Sequence, residues 1–132
     1  MTTSDLPAGG QPDVSSEGTE APFDDVITLS TSTGDDGVVT VTVVGEVDTF
    51  TAPVLRSTLD SQLEQQPSDL VIDLSGVQFL GSAGLAVLVE TQKSARSREV
   101  GLRLIATTRA VTRPLEVTGL IDLFTIADSP AR

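Results

Sequence analysis

Apolar and polar residues alternate along this chain with two periods. Residues 38–44, Val38-Val39-Thr40-Val41-Thr42-Val43-Val44, follow a period of two, the pattern of a strand with one buried face. Residues 26–33 do so more loosely, and Gly34-Asp35-Asp36-Gly37 between the two runs is a turn signal, so an antiparallel hairpin is predicted. Leu55, Leu59 and Leu63 then recur every four residues and predict a helix over 52–65, with Thr51 as its cap and Pro53 in the first turn. Asp69-Leu70-Val71-Ile72-Asp73-Leu74-Ser75 is nearly continuous in apolar character, which suits a strand covered on both faces. Gly76 is expected to turn the chain, with Val77 and Phe79 pointing the same way beyond it. A helix over 82–97 carries Leu85, Leu88 and Val89 on one face, with Lys93, Arg96 and Arg98 gathered at the negative end of its dipole.

Residues 100–106 form a fourth predicted strand. A third helix starts from either Thr108 or Thr112 and ends near Val117, with Gly119 as its stop. The first start places Pro114 inside the helix and kinks it, whereas the second leaves Pro114 in the first turn. Residues 123–126 read as a short last strand. The order β-β-α-β-α-β-α-β describes an α/β domain. Its mixed, mostly parallel sheet has an N-terminal β-hairpin, and helices joined by right-handed crossovers pack on it.

Composition narrows the chemistry. The 132 residues hold no His, Cys, Trp or Tyr, so a Ser-His-Asp triad, a histidine phosphocarrier, an ordinary zinc site and thiol chemistry are all excluded. Aromatic residues make up only 3% of the chain, which leaves the core to Val, Leu, Ile and Ala. The formal net charge is −11, unfavourable for binding nucleic acid. Acidic residues dominate the N-terminal end: Asp5, Asp13, Glu17, Glu20, Asp24 and Asp25 come with no base, and the first basic residue is Arg56. Residues 1–25, with their prolines, glycines and few apolar side chains, are expected to form a disordered acidic tail. No apolar run suffices to span a bilayer, and Met1 to Pro7 lack the basic and apolar stretches of a signal peptide, so a cytoplasmic location and no membrane partner are expected.

Gly81-Ser82-Ala83-Gly84-Leu85 is the segment with the most chemical potential. It joins a strand segment to a helix, with Ser82 at the N-cap or first helical position. Gly81 loosens the backbone for a tight turn, and Gly84 removes a Cβ where another surface could approach. An exposed hydroxyl there suits phosphorylation. A phosphate would gain from the helix N-terminus while adding about −1.5 to −2 charge, so it would act on a docked partner rather than on the fold. A plain helix cap explains the same Gly-Ser-x-Gly spacing.

Residues 71–85, Val71-Ile72-Asp73-Leu74-Ser75-Gly76-Val77-Gln78-Phe79-Leu80-Gly81-Ser82-Ala83-Gly84-Leu85, resemble the signature of the STAS domain, and more narrowly that of the bacterial anti-sigma-factor antagonists. Gly45-Glu46-Val47-Asp48-Thr49-Phe50-Thr51-Ala52-Pro53 resembles the family's acidic loop entering its first helix. Gly101 to Ile105 resembles its fourth strand, and Pro114 to Phe124 its last helix and strand. The match spans 26–128 and leaves 129–132 as a C-terminal tail. The resemblance implies an antagonist that binds, when unphosphorylated, an anti-sigma factor that is a serine kinase of the GHKL ATPase fold, so that a sigma factor is freed. Phosphorylation of Ser82 by that kinase would release it, and a PP2C-type phosphatase would reset it. Asp48 matches the acidic residue that supports the kinase contact. Glu46, Thr49, Gly81, Ala83, Gly84 and Leu85 complete the implied binding surface. Gly81 stands where the family motif carries Asp. No cofactor and no metal are implied, the chain is expected to be no enzyme, and a monomer or weak dimer is expected.

Other residues admit second readings. Asp73, late in a buried strand, sits where a receiver domain carries its phosphoacceptor, yet the acidic pair and strand-end Lys of a receiver are missing. Glu46 and Asp48 could form a carboxylate pair for acid–base work or Mg²⁺ binding, without an evident third ligand. Arg96, Arg98, Arg103, Arg109 and Arg113 could form an anion patch, and a nucleotide- or anion-sensing module of the same fold is the alternative function. Leu120, Leu123 and Phe124 suit the core or a partner groove.

Overall fold

The computed structural model describes residues 27–127. The expected tail over 1–25, Val26 at the start of the first predicted strand, and the expected C-terminal tail over 129–132 lie outside the described residues. Strands β1 (Ile27–Thr33) and β2 (Val38–Val47) form the hairpin. Helix α1 (Ala52–Glu64) leads to β3 (Asp69–Leu80), and α2 (Ser82–Ser97) leads to β4 (Gly101–Ile105). Helix α3 (Arg109–Val117) and a 3-10 turn over Leu120–Leu123 then lead to β5 (Thr125–Ala127). The strands lie side by side in chain order. β1 and β2 are antiparallel and every later pair is parallel, so the expected mixed, mostly parallel sheet is formed.

Alternation decides which sheet face is covered. Val39, Val41 and Val43 of β2, Leu70, Ile72 and Leu74 of β3, and Leu102 and Leu104 of β4 enter one hydrophobic cluster. Leu55, Leu59 and Leu63 of α1, Leu85 and Leu88 of α2, and Val111 and Leu115 of α3 join it. On the opposite face the intervening Thr40, Thr42, Asp73 and Arg103 are half-buried, while Val71 and Ile105 are buried. With so few aromatic residues, aliphatic packing carries the core: its largest fully buried side chains are all Leu, Ile and Val.

Three expectations are corrected, and the open choice of a start for α3 is decided. Gly76 does not turn the chain. A Cβ there would lie 2.9 Å from Val44 Cγ2, so the glycine lets β3 run past β2 at close range and continue to Leu80. Val77 and Phe79 do not point the same way, because the pairing slips between Gly45 and Glu46. Two β3 steps, from Val77 to Phe79, oppose one β2 step, and such a bulge turns a side chain to the other face. Val77 is therefore buried and Phe79 is 50% exposed. Helix α3 takes the earlier of its two possible starts, with Thr108 at the cap and Pro114 inside, and Gly119 at φ 75° closes it as expected. The last strand begins at Thr125, because Leu120–Leu123 instead form a 3-10 turn that buries Phe124 and exposes Leu123.

Leu59 is fully buried between α1 and the sheet. Leu59→Ala is expected to lower the unfolding free energy by about 2–5 kcal/mol, measured by urea denaturation.

Candidate functional site

The segment after β3 owes its shape to three local contacts. The Gly81 N–H donates to the Val47 carbonyl at 2.9 Å, which ties the end of β3 to the end of β2. Gly81, at φ −90° and ψ −178°, is the N-cap of α2, and its carbonyl accepts the Leu85 N–H at 3.0 Å. Gly84 is buried, and a Cβ on it would lie 2.6 Å from Val47 Cγ1 and 2.7 Å from Leu80 Cδ1. The room left by Gly84 is thus filled by the protein's own strands, not held open for a visitor as its spacing suggested. Leu85 is likewise buried, at 7% exposure, and Ala83 packs half-buried against the core. Within Gly81–Leu85 the one exposed residue is Ser82, the first residue of α2.

No side chain caps α2 and no acidic residue stands in its first turn. The N-terminal amides of the helix therefore have no competing carboxylate from their own element, and they carry the positive end of the dipole. Ala86 and Glu90 continue the exposed stripe from Ser82 along the helix. Glu90 forms an ion pair with Arg56 of α1.

The neighbouring loop is built around Asp48. One oxygen of its carboxylate, Oδ1, accepts the backbone N–H groups of Phe50 at 2.9 Å and Thr51 at 3.0 Å. Thr51 is buried. Its hydroxyl accepts the Asp48 N–H at 2.9 Å and lies 2.8 Å from the Glu46 carbonyl and 3.2 Å from Asp48 Oδ1, with one proton to donate between them. Thr51 stands at the N-cap of α1 as expected, but its side chain makes no cap bond and instead stitches the loop to the end of β2. The hydrogen bond from the Thr51 backbone N–H is the largest influence on the Asp48 carboxyl, and together with those from the Phe50 N–H and the Thr51 hydroxyl it outweighs desolvation and holds the pKa below its ordinary value. The outcome is a fixed loop that leaves Glu46, Thr49 and Phe50 exposed, Phe50 at 79%.

The structure brings the sequence-derived candidates together in this way: Gly81, next to Ser82, bonds the end of β2, which carries Glu46 and leads directly into Asp48 and Thr49. Two residues escaped the sequence reading. Phe50 and Phe79 are exposed beside the helix start, and neither stands out in sequence, because the bulge that turns Phe79 outward has no local signature.

The other candidates separate. Asp73 Oδ1 accepts the Ser75 N–H and hydroxyl at 3.0 and 2.6 Å, a local turn at mid-strand. The arginines are spread over the ends of α2, β4 and α3. A cavity of about 200 Å³ between the ends of α1 and α2 is lined by Asp60, Leu63, Glu64, Ser94 and Arg98. Two carboxylates against one guanidinium make it a poor seat for phosphate or nucleotide. Among the described residues no three His, Cys, Asp or Glu side chains are grouped to hold a metal ion, and no helix is long and apolar enough to cross a membrane.

The STAS domain family model matches residues 30–132. The chain belongs to the STAS domain family. It is similar to the anti-sigma-F factor antagonist RsfB of Mycobacterium tuberculosis, 35% identical over 88 residues, which cover 67% of this chain and 71% of the relative. It is also similar to the anti-sigma-B factor antagonist of Bacillus subtilis, 37% identical over 87 residues, covering 66% of this chain and 79% of the relative. Among solved structures it resembles an anti-sigma factor antagonist from Mycobacterium paratuberculosis, with a TM-score of 0.72 and 36% identity over 85% of this chain and 92% of that one.

The Asp48 pKa supplies a pH test with a definite sign. A carboxyl whose folded pKa is depressed contributes stability above its unfolded pKa and loses it as pH falls through the folded value. Asp48→Asn is therefore expected to melt below the parent protein at pH 7, with the gap narrowing as pH is lowered through the acid range. Thermal melts of both proteins from pH 7 to pH 3 measure it.

Proposed function

We propose that this chain is an anti-sigma-factor antagonist controlled by phosphorylation of Ser82. Unphosphorylated, it binds an anti-sigma factor that is itself a serine kinase of the GHKL type, and a sigma factor is set free. The kinase transfers phosphate to the Ser82 hydroxyl and the complex parts. A PP2C-type phosphatase restores the binding form. The protein works in the cytoplasm as a substrate and ligand, not as an enzyme.

The observation that carries this reading is the position of Ser82. It is an exposed hydroxyl at the first residue of an uncapped helix, beside a fixed acidic loop, on a backbone pinned to the neighbouring strand. A kinase reaches it without opening the core. The names of the relatives support the same role.

Electrostatics supports a switch that leaves the domain folded. The first-turn amides of α2 and its dipole offset part of the charge of a phosphate on Ser82. Glu46 and Asp48 already make this end of the sheet acidic. A partner that binds it carries complementary positive charge, and a phosphate adds bulk and about −1.5 to −2 charge inside a surface shaped for a neutral hydroxyl. Such a mismatch need only cost about 1.4 kcal/mol to weaken binding tenfold.

Binding to the GHKL serine kinases of the same genome provides the test. Ser82→Ala is expected to bind with parental affinity and accept no phosphate, and Ser82→Glu to bind about tenfold or more weakly with an unchanged melting temperature. Equal affinity of the parent and Ser82→Glu for every such kinase would refute the switch.

A further inference from the structure

We infer that Phe79, laid over Gly81, is the apolar anchor by which the partner grips this site, with Glu46 as the charged contact beside it. The inference rests on the proposed binding site and assigns the groups that determine which partner it accepts.

Gly81 is the residue at which the helix cap and the Phe79 ring meet. Its φ of −90° and ψ of −178° are open to any residue, so the backbone does not demand glycine. Packing favours it. A Cβ on Gly81 would stand 3.1 Å from Phe79 Cε2 and 3.3 Å from Phe79 Cζ, tight enough that the ring would have to give by a few tenths of an ångström. The Phe79 ring thus crowds the helix cap, where Ser, Thr, Asp or Asn would otherwise bond the first-turn amides. The chain has four Phe in all, and two of them are exposed, Phe79 at this helix start and Phe50 in the loop that follows β2.

The ring's surroundings describe the partner. Glu46 lies directly across from Phe79 in the β2–β3 pairing, and its side chain is exposed. Val44, two residues earlier on the same face of β2, is 44% exposed. Binding surfaces concentrate their energy in an aromatic anchor that fills a pocket, ringed by polar contacts. Phe79 with Val44 suits an apolar pocket on the anti-sigma kinase, and Glu46 suits a Lys or Arg on the rim of that pocket. The ring lies against Gly81, the residue immediately before Ser82, so a phosphate on Ser82 would fall at the pocket's edge. A side chain at residue 81 would crowd the ring and shift it, so the Gly81–Phe79 pair also discriminates between partners.

Full-length variants are tested against the GHKL serine kinase of the same genome that binds Ser82→Ala most tightly, by calorimetric titration and by thermal melting. Phe79→Ala is expected to bind about tenfold or more weakly and Phe79→Leu to recover most of the loss. Gly81→Asp is expected to lose about as much affinity at an equal or higher melting temperature, since Asp is a favoured cap. Glu46→Gln should slow association and flatten its salt dependence. If Phe79→Ala does not fold, Gly81→Asp carries the same test. Phe79→Ala and Gly81→Asp binding within about twofold of the parent, while Ser82→Glu is impaired, would overturn the anchor and leave the switch standing. Impairment of Phe79→Ala with Ser82→Glu unaffected would uphold the anchor and overturn the switch.

Discussion

The hydrogen bond from Gly81 N–H to the Val47 carbonyl joins the two halves of the site. It closes the gap between the end of β3 and the end of β2 where the ladder is irregular, and it fixes where α2 begins. Gly84 adds the second restraint by letting the first turn of α2 sit against Val47 and Leu80 with no Cβ between them. Both contacts meet at Val47, which is fully buried. A hydroxyl displayed on such a rigid mount is reachable by an enzyme while its backbone holds still. A modification there is then read as a change of surface and not as unfolding.

The acidic loop follows the same economy of residues. Asp48 looks in sequence like a group offered to a partner, yet one oxygen of its carboxylate holds the backbone of Phe50 and Thr51. Its first task is to fix the loop that presents Thr49 and Phe50. Glu46 is the carboxylate left pointing outward, across from Phe79. The two acids lie two residues apart and differ in role because buried Thr51 draws one of them inward.

Much of this was legible from the chain alone. Period-two alternation in β2 and the Leu55-Leu59-Leu63 spacing in α1 are strong signals, since each is imposed by a core that all elements share. Ser82 at the start of α2 followed from a strand-like segment meeting an apolar helical face. What could not be read was non-local. The bulge that turns Phe79 outward depends on how β3 slips against β2, and the run of β3 past Gly76 depends on Val44 across the ladder. Gly84 was misjudged for the same reason: a missing Cβ looks alike in sequence whether the space is left for a guest or filled by Val47 and Leu80. The choice of Thr108 over Thr112 as the start of α3 likewise needed the tertiary frame, because local propensity penalises Pro114 inside the helix.

The whole reading turns on one oxygen atom, the Ser82 Oγ, as the place where a kinase acts. Incubating the intact protein with ATP and each GHKL serine kinase of its genome, then mapping phosphate by tandem mass spectrometry, addresses it directly. The expected result is a single phosphate, on Ser82, added by a kinase that binds the unmodified protein and releases the product. Phosphate on any other residue, or none from a kinase that nevertheless binds this face, would contradict it.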